Sequence, residues 1–161
     1  MKNKVSVIIP TYNSSKTVKR SIESVLNQTH QNFEIIITDD NSNDNTVSVI
    51  EKYLKKHNNI KLFCLDENRG AGYARNFCTQ NASGDYIAFL DSDDYWDRDK
   101  LKIQLLFMKK FNISFSHTSY YIVNEKGIKL DSININEIIR YKDLLKSCDI
   151  GLSSVIMISK F

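Results

Sequence analysis

An acidic segment, Asp91-Ser92-Asp93-Asp94, follows a short apolar run and has the residue types and spacing for metal chemistry. Residues two apart in an extended segment point the same way, so the carboxylates of Asp91 and Asp93 are expected to converge on one point. Two such close carboxylates repel each other unless a cation or a hydrogen-bond donor lies between them. Mg²⁺ or Mn²⁺, bound by one or two carboxylates together with substrate phosphates, fits this pattern. Capping of the following helix is the alternative interpretation.

Two further segments carry residues suited to binding a nucleotide. Asp39 and Asp40 follow a second apolar run, where a carboxylate can accept hydrogen bonds from a nucleobase or a ribose hydroxyl. We favour this ligand role for Asp40, although the segment also has the composition of an Asx turn. Arg75 follows Asn68-Arg69-Gly70-Ala71-Gly72 at the start of a helical pattern, a setting that suits phosphate. An ordinary surface arginine is the alternative for Arg75.

The elements that must position these residues alternate between strands and helices. The apolar pattern predicts strands over Val5–Ile9, Phe33–Ile37, Ile60–Leu65 and Tyr86–Leu90, each followed by a helical pattern. It then predicts a helix over Lys100–Lys110, a strand over Ile113–Val123 with a hairpin partner over Ile128–Ile133, a helix over Ile138–Ser147 and a strand over Val155–Ile158. Repeated strand–helix–strand units indicate a mostly parallel sheet, which binds ligands at the carboxyl ends of its strands.

Composition restricts the remaining function classes. The chain has 161 residues, of which 42% are hydrophobic, and this suits a single domain. Its net charge of +3 is not gathered in a stripe, so we expect no nucleic-acid partner. The three cysteines form no CxxC pair, which argues against a zinc site or a disulfide framework. No apolar run approaches the roughly eighteen residues of a membrane span. We therefore expect a cytoplasmic protein, with peripheral contact at the inner face of the membrane left open.

Four blocks, in this order, resemble the N-terminal half of a family-2 glycosyltransferase of the GT-A fold. The blocks are Val5–Asn13, Glu34–Ser42, Asn68-x-Gly70 with Ala74-Arg75-Asn76, and Asp91–Asp94. The resemblance implies a Rossmann-like α/β domain with a mostly parallel sheet flanked by helices. It also implies inverting transfer of a sugar from a nucleotide-diphosphate sugar, most often a UDP-sugar, to a hydroxyl of a glycan or lipid-linked acceptor. Such enzymes build cell-surface polysaccharides.

The resemblance also implies roles for individual residues. Asp40 would hold the nucleobase, Asp91 would lie near the ribose and sugar, and Arg75 would lie near the nucleotide phosphates. Asp93 would bind the metal, Mg²⁺ or Mn²⁺. The remaining donor-binding residues implied by the same motifs are Pro10, Thr11, Tyr12, Asn68, Gly70 and Ser92.

The resemblance is strong over residues 1–100 and weaker beyond them. We therefore expect one domain over residues 1–161, with 1–100 as the nucleotide-sugar-binding half and 101–161 as an incomplete, C-terminally truncated start of the acceptor half. In relatives the general base is an Asp, usually in a Glu-Asp pair, that lies beyond the last strand predicted here. Asp131, Asp143 and Asp149 lack that setting, so the base is expected beyond Phe161. The chain is then predicted to bind donor and metal but to transfer sugar poorly.

Two alternatives belong to other function classes. A nucleotidyltransferase should carry a Gly-rich phosphate loop with Lys or Arg after its first strand, and Pro10-Thr11-Tyr12-Asn13 is not such a loop. A non-catalytic nucleotide-sugar-binding or interaction module would retain the fold without the chemistry.

Overall fold

The computed structural model describes residues 3–124, 126–134, 153–155 and 157–159. The helix predicted over Ile138–Ser147 lies outside these residues. The described strands are β1 (Val5–Thr11), β2 (Phe33–Asp39), β3 (Ile60–Cys64), β4 (Tyr86–Phe89), β5 (Phe115–Ser116), β6 (Tyr120–Val123), β7 (Lys129–Ile133) and β8 (Met157–Ser159). The described helices are α1 (Val18–Leu26), α2 (Thr46–Leu54), α3 (Ala71–Gln80) and α4 (Lys100–Phe111), with a 3₁₀ turn at Ser153–Val155.

The central sheet has the strand order β3-β2-β1-β4-β8-β5, and β6 pairs with β7 in a separate hairpin. β1 runs parallel to β2 and to β4, and β2 runs parallel to β3. β8 is antiparallel to both β4 and β5. The predicted mostly parallel α/β sheet is therefore confirmed. The order of the first four strands reverses at β1, because β2 and β4 lie on its two sides.

The core lies on both faces of this sheet. Every residue of β1 and β2 is buried, as expected for central strands that carry continuous apolar runs. Alternate residues point to opposite faces, so Ile9 and Ile37 pack in a cluster with Ile22 of α1. Ile8 and Ile36 pack in a second cluster with Cys78 of α3. The sheet is thus held between helices, which leaves its two ends open to polar residues.

Several element boundaries differ from the sequence-based expectations, most of them by one or two residues. β1 continues through Pro10 to Thr11, because β1 pairs with β4 only as far as Ile8 and the proline needs no N–H on that side. The strand predicted over Ile113–Val123 is instead two short strands, β5 and β6, which belong to different sheets. The strand predicted over Val155–Ile158 begins later, as β8, and a 3₁₀ turn precedes it.

The end of the sheet where β1, β2 and β4 begin, here called the amino edge, holds a buried carboxylate on Glu34. Its Oε1 accepts hydrogen bonds from Ser6 Oγ at 2.7 Å, Ser83 N at 2.7 Å and Ser83 Oγ at 2.8 Å. Its Oε2 lies 3.1 Å from Lys4 Nζ and 3.2 Å from Lys61 Nζ. Burial by itself raises the pKa of Glu34, but the bonds from Ser6, Ser83 and Lys4 outweigh it and lower that pKa to about 2. This acid is fully paired and is part of the scaffold.

Candidate functional site

A cleft of about 220 Å³ opens at the other end of the sheet, the carboxyl edge, where β1, β2 and β4 end. It lies where the strand order reverses between β2 and β4, which is the position at which open α/β sheets bind ligands. Its lining residues are Pro10, Thr11, Tyr12, Asp40, Ala71, Ala74, Arg75, Asp91, Ser92 and Asp93.

The end of β1 forms one wall of the cleft. Thr11 is buried and donates from Oγ1 to Asp39 Oδ1 at 3.1 Å. Tyr12 follows directly and is 47% exposed, so its ring is free to meet a ligand. The wall therefore changes from a fixed threonine to an accessible aromatic ring within one residue.

The two aspartates that follow β2 are held differently. Asp39 accepts from Ser42 N at 2.8 Å and from Ser42 Oγ at 2.6 Å, so its side chain closes a turn over residues 39–42. Asp40 accepts from Arg69 N at 2.8 Å and from Gly70 N at 2.7 Å, one bond to each carboxylate oxygen. A carboxylate has about four acceptor positions, so Asp40 keeps acceptor capacity toward the cleft.

Gly70 has φ +86°, a conformation that glycine adopts without strain. This geometry turns the chain into α3 and directs the Gly70 amide to Asp40. Gly70 and Asn68 are the two predicted donor-binding residues that do not line the cleft. Gly70 instead fixes the loop against the cleft's carboxylate.

Arg75, Asp91 and Ser153 form a three-membered contact across the cleft. Arg75 Nη2 lies 2.6 Å from Asp91 Oδ1 and donates to Ser153 Oγ at 3.2 Å. Ser153 Oγ in turn donates to Asp91 Oδ2 at 2.6 Å. Arg75 Nε is buried and has no hydrogen-bond partner among the residues described. Arg75 thus holds both Asp91 and Ser153 with one nitrogen.

The acidic loop that contains Asp93 is fastened to α1 through its backbone. Arg20 Nη2 donates to the carbonyl of Asp93 at 2.9 Å. Ser21 Oγ contacts the carbonyls of Ser92 and Asp94 at 2.9 and 2.6 Å. Because these contacts use main-chain carbonyls, they fix the course of the loop and leave the Asp93 carboxylate available.

The side chains of this loop concentrate negative charge. Asp93 is exposed at the cleft, and no hydrogen bond to its carboxylate occurs within the described part of the chain. Burial raises the pKa of Asp94, a hydrogen bond from Ser154 lowers it, and the charges of Asp93 and Asp91 raise it, so that the net shift is upward. The ionised form of Asp94 is therefore disfavoured at this position.

The residues fit a divalent cation that is held jointly with a ligand. The described ranges contain no group of three or more His, Cys, Asp or Glu side chains placed to hold a metal alone. Asp93 offers a hard oxygen donor without a competing partner, whereas Asp91 is already paired with Arg75 and Ser153. One carboxylate plus phosphate oxygens is a donor set that Mg²⁺ accepts.

Some residues that shape the site were not predicted from the sequence. Ala71 and Ala74 line the cleft as small residues of α3, and Ser153 lies 62 positions from its partner Asp91. Arg20 and Ser21 lie on a helix that was interpreted only by its apolar positions. In the sequence, only two polar residues, Arg20 and Ser21, next to the apolar Ile22 could have indicated that α1 contacts the acidic loop, and this indication is weak.

Comparisons with known proteins agree with this architecture. A sequence model described as Glycosyl transferase family 2 matches residues 6–158. The chain is 42% identical over 154 residues to a putative teichuronic acid biosynthesis glycosyltransferase, TuaG, of Bacillus subtilis, covering 95% of this chain and 61% of that protein. It is also 42% identical over 153 residues to the Escherichia coli UDP-Glc:alpha-D-GlcNAc-diphosphoundecaprenol beta-1,3-glucosyltransferase WfgD, covering 95% of this chain and 59% of that protein.

The crystal structure of S. aureus TarS 1-349 in complex with UDP matches with a TM-score of 0.71 and 35% identity. The match covers 80% of this chain and 38% of that one. The chain thus spans about three fifths of the length of the two sequence relatives and a smaller part of TarS 1-349. Among the described residues, no helix combines the length and apolarity needed to cross a membrane.

Proposed function

The chain belongs to glycosyl transferase family 2, and on this premise we propose that it transfers a sugar from a nucleotide-diphosphate sugar to a hydroxyl acceptor, with inversion and with Mg²⁺ or Mn²⁺. The observation that carries the proposal is the meeting of Asp40, Arg75, Asp91 and Asp93 in one cleft at the strand-order reversal. The cleft has an acceptor carboxylate, Asp40, at one side, and Arg75 with Asp91 and Asp93 at the other. This arrangement suits a ligand with a base at one end and a diphosphate at the other.

Donor binding is assigned to the two walls of the cleft. Asp40 would accept hydrogen bonds from the nucleobase, and its orientation by the Arg69 and Gly70 amides supports this role. Pro10, Thr11 and Tyr12 would line the base and ribose, and the exposed ring of Tyr12 suits stacking. This division explains why one aspartate after β2 closes a turn while the next faces the cleft.

The diphosphate is assigned to the opposite side. Arg75 lines the cleft, and its guanidinium would bond a phosphate oxygen. Asp91 and Ser92 would contact the ribose and sugar, while Gly70 holds the adjoining loop against Asp40. Asn68, in the same loop, stays a predicted donor-binding residue. Asp93 would bind the cation together with the diphosphate. When bound there, the cation supplies Lewis-acid stabilisation of the charge that develops on the departing nucleoside diphosphate.

The donor is proposed to be a UDP-sugar and the acceptor a glycan or a lipid-linked sugar. The structural neighbour was solved with UDP, and the E. coli relative is named for a UDP-glucose donor and a diphosphoundecaprenol acceptor. The B. subtilis relative is named for teichuronic acid biosynthesis. These names support a role in cell-surface polysaccharide synthesis close to the cytoplasmic face of the membrane.

The domain division from the sequence remains part of the proposal. Residues 1–100 would form the nucleotide-sugar-binding half, and residues 101–161 would form the start of the acceptor half. Inversion needs a general base on the acceptor side, and such a base contributes roughly 10²–10⁴-fold. Asp91 is paired with Arg75 and Asp93 is assigned to the cation, so neither is a good base. We therefore expect the 161-residue chain to bind donor and to transfer sugar slowly.

Calorimetric titration with UDP, in the presence and absence of Mn²⁺, tests the proposal. We expect Mn²⁺ to strengthen UDP binding. In the presence of Mn²⁺, Asp93→Ala should weaken UDP binding at least about tenfold because the cation loses its protein ligand. Asp66→Ala is the matched control, since Asp66 is exposed and does not line the cleft. UDP binding that is absent, or that is indifferent to both Mn²⁺ and Asp93, would contradict the assignment.

A further inference from the structure

α4 exposes an unusual number of large apolar side chains. Ile103, Leu106, Phe107 and Phe111 are 63%, 57%, 45% and 54% exposed. The rings of Phe107 and Phe111 lie 4.7 Å apart between centroids, so they contact each other at the surface. Exposed apolar residues that adjoin in this way mark interaction sites more often than residues scattered singly do.

The same face of α4 is basic. Lys102, Lys109 and Lys110 are exposed on the helix, and we call them, together with the four apolar residues, the α4 surface. The buried residues of the helix, among them Leu101, Leu105 and Met108, lie on the opposite side and pack into the core. The α4 surface is therefore not the side that attaches the helix to the sheet.

Acidic residues are missing from this part of the sequence. No Asp or Glu occurs between Lys100 and Asn124, so the lysines of the α4 surface have no acid on their own helix to pair with. Lys110 Nζ instead lies 5.3 Å from the Phe111 ring. Among the described residues, Lys102, Lys109 and Lys110 form no ion pair with an acid. Exposed apolar side chains flanked by such lysines suit contact with an anionic bilayer surface.

We propose that the α4 surface docks the protein on an anionic lipid bilayer. The apolar side chains enter the headgroup region, and the lysine ammonium groups contact lipid phosphates. A second copy of the chain is a poorer occupant, because a two-fold contact would bring the lysines of both copies together. The inference concerns a face outside the cleft residues, so it stands or falls independently of sugar transfer.

Co-sedimentation of the 161-residue chain with lipid vesicles tests the proposal. One set of vesicles is pure phosphatidylcholine, and the other contains about one third phosphatidylglycerol, which gives the negative surface that attracts lysines. We expect binding to the anionic vesicles only, and we expect added salt to weaken it. Binding that is equal for both vesicle types, or absent from both, overturns the proposal.

Variants separate the two components of the surface. Replacing Lys102, Lys109 and Lys110 together by Gln should weaken vesicle binding at least about tenfold. Leu106→Ser combined with Phe107→Ser should weaken it similarly, while circular dichroism remains that of the parent because both side chains are exposed. The matched control replaces Lys52, Lys55 and Lys56, exposed at and just after the end of α2, by Gln and should bind as the parent does. If the control variant loses vesicle binding to the same extent, the net charge of the protein, and not the α4 surface, determines the binding.

Sedimentation velocity supplies the last outcome. The parent should be a monomer without lipid, and the α4 variants should not change this. If the parent self-associates, and Leu106→Ser with Phe107→Ser makes it monomeric, the α4 surface is a contact between copies and the membrane proposal is wrong. UDP titration of the same variants should give the parent's affinity, which keeps this test separate from that of the cleft.

Discussion

Glu34 at the amino edge and Asp94 at the carboxyl edge are both carboxylates withdrawn from water, yet their pKa values move in opposite directions. Burial raises the pKa of Glu34, but the hydrogen bonds from Ser6, Ser83 and Lys4 prevail and bring it to about 2. Burial, the largest cause, also raises the pKa of Asp94, and the hydrogen bond from Ser154 lowers it without cancelling the rise. The charges of Asp93 and Asp91 add to the upward shift.

The difference shows that the buried carboxylate of the amino edge stabilises the fold, whereas the half-buried carboxylate of Asp94 at the carboxyl edge does not. At the amino edge, every oxygen of the buried acid faces a donor or a cation. At the carboxyl edge, three aspartates are gathered within four residues, and the pKa of Asp94 among them is raised. Acids with raised pKa values beside a cleft are typical of functional sites, where stability is commonly lost because function requires it.

Removing the amino-edge carboxylate should have the largest effect on folding. Glu34→Ala leaves Ser6, Ser83 and Lys4 without their acceptor, and we expect the free energy of unfolding in urea to fall by about 3 kcal/mol. Glu67→Ala breaks an exposed ion pair with Arg69 and should cost less than about 1 kcal/mol. Equal losses in the two variants would remove the distinction between paired scaffold and surface.

The pH dependence of stability should show the same carboxylate. Because the folded pKa of Glu34 lies below its usual value, its contribution is complete above about pH 4.5 and is lost as the pH falls toward about 2. The shift corresponds to a loss on the order of 3 kcal/mol across that range. Urea unfolding at a series of pH values should give a flatter profile for Glu34→Gln than for the parent. Parallel profiles would show that other acids dominate.

Two glycines, Gly84 near the amino edge and Gly72 in α3, differ in the space around them. A Cβ on Gly84 would lie 2.7 Å from the Ser6 amide nitrogen and 2.8 Å from the Lys4 carbonyl oxygen, whereas a Cβ on Gly72 meets nothing within 4 Å. We expect Gly84→Ala to destabilise by about 2 kcal/mol because backbone must shift. Gly72→Ala, in the first turn of α3, should be neutral or stabilising by up to about 1 kcal/mol. Thermal or urea unfolding of both variants measures the contrast.

The smallest expected change in the free energy of unfolding is that of Asp94→Asn, and it is neutral or stabilising. Asp94→Asn removes a charge from the acidic loop, so stability at pH 7 should stay equal or rise by up to about 1 kcal/mol. UDP binding in the presence of Mn²⁺ should weaken several-fold, since the loop loses negative charge. A clear loss of stability in urea would show that the carboxylate is favourably placed and that the carboxyl edge is not strained electrostatically.

Sequence reasoning recovered the parts of the fold that depend on local pattern. β1 and β2 are rich in β-branched residues, and β3 and β4 are short segments rich in apolar and aromatic residues, so the existence and order of occurrence of these four strands were predictable. The break between β5 and β6 was not, because residues 117–119 contain no glycine or proline. The antiparallel direction of β8 was also beyond reach, since pairing direction is decided by where the chain returns in space.

The candidate site divides in the same way. Asp40, Arg75 and Asp93 could be chosen because each follows a strand or opens a helix with a distinctive neighbourhood. The pairing of Arg75 with Asp91 was not foreseen, and it leaves Asp93 as the more available of the two carboxylates. Ser153 and Ser21 act through hydroxyl groups, and serines are too common for single positions to stand out in a sequence.

The contact between Ser153 and Asp91 determines when the cleft can be completed during synthesis on the ribosome. β1 to β4 can pair once residue 89 has emerged, but the hydroxyl that completes the Arg75–Asp91 contact is 62 residues younger than Asp91. Domains generally fold as units. The cleft can therefore be completed only after Ser153 has been synthesised, so nucleotide binding by the nascent chain is expected to be a late event.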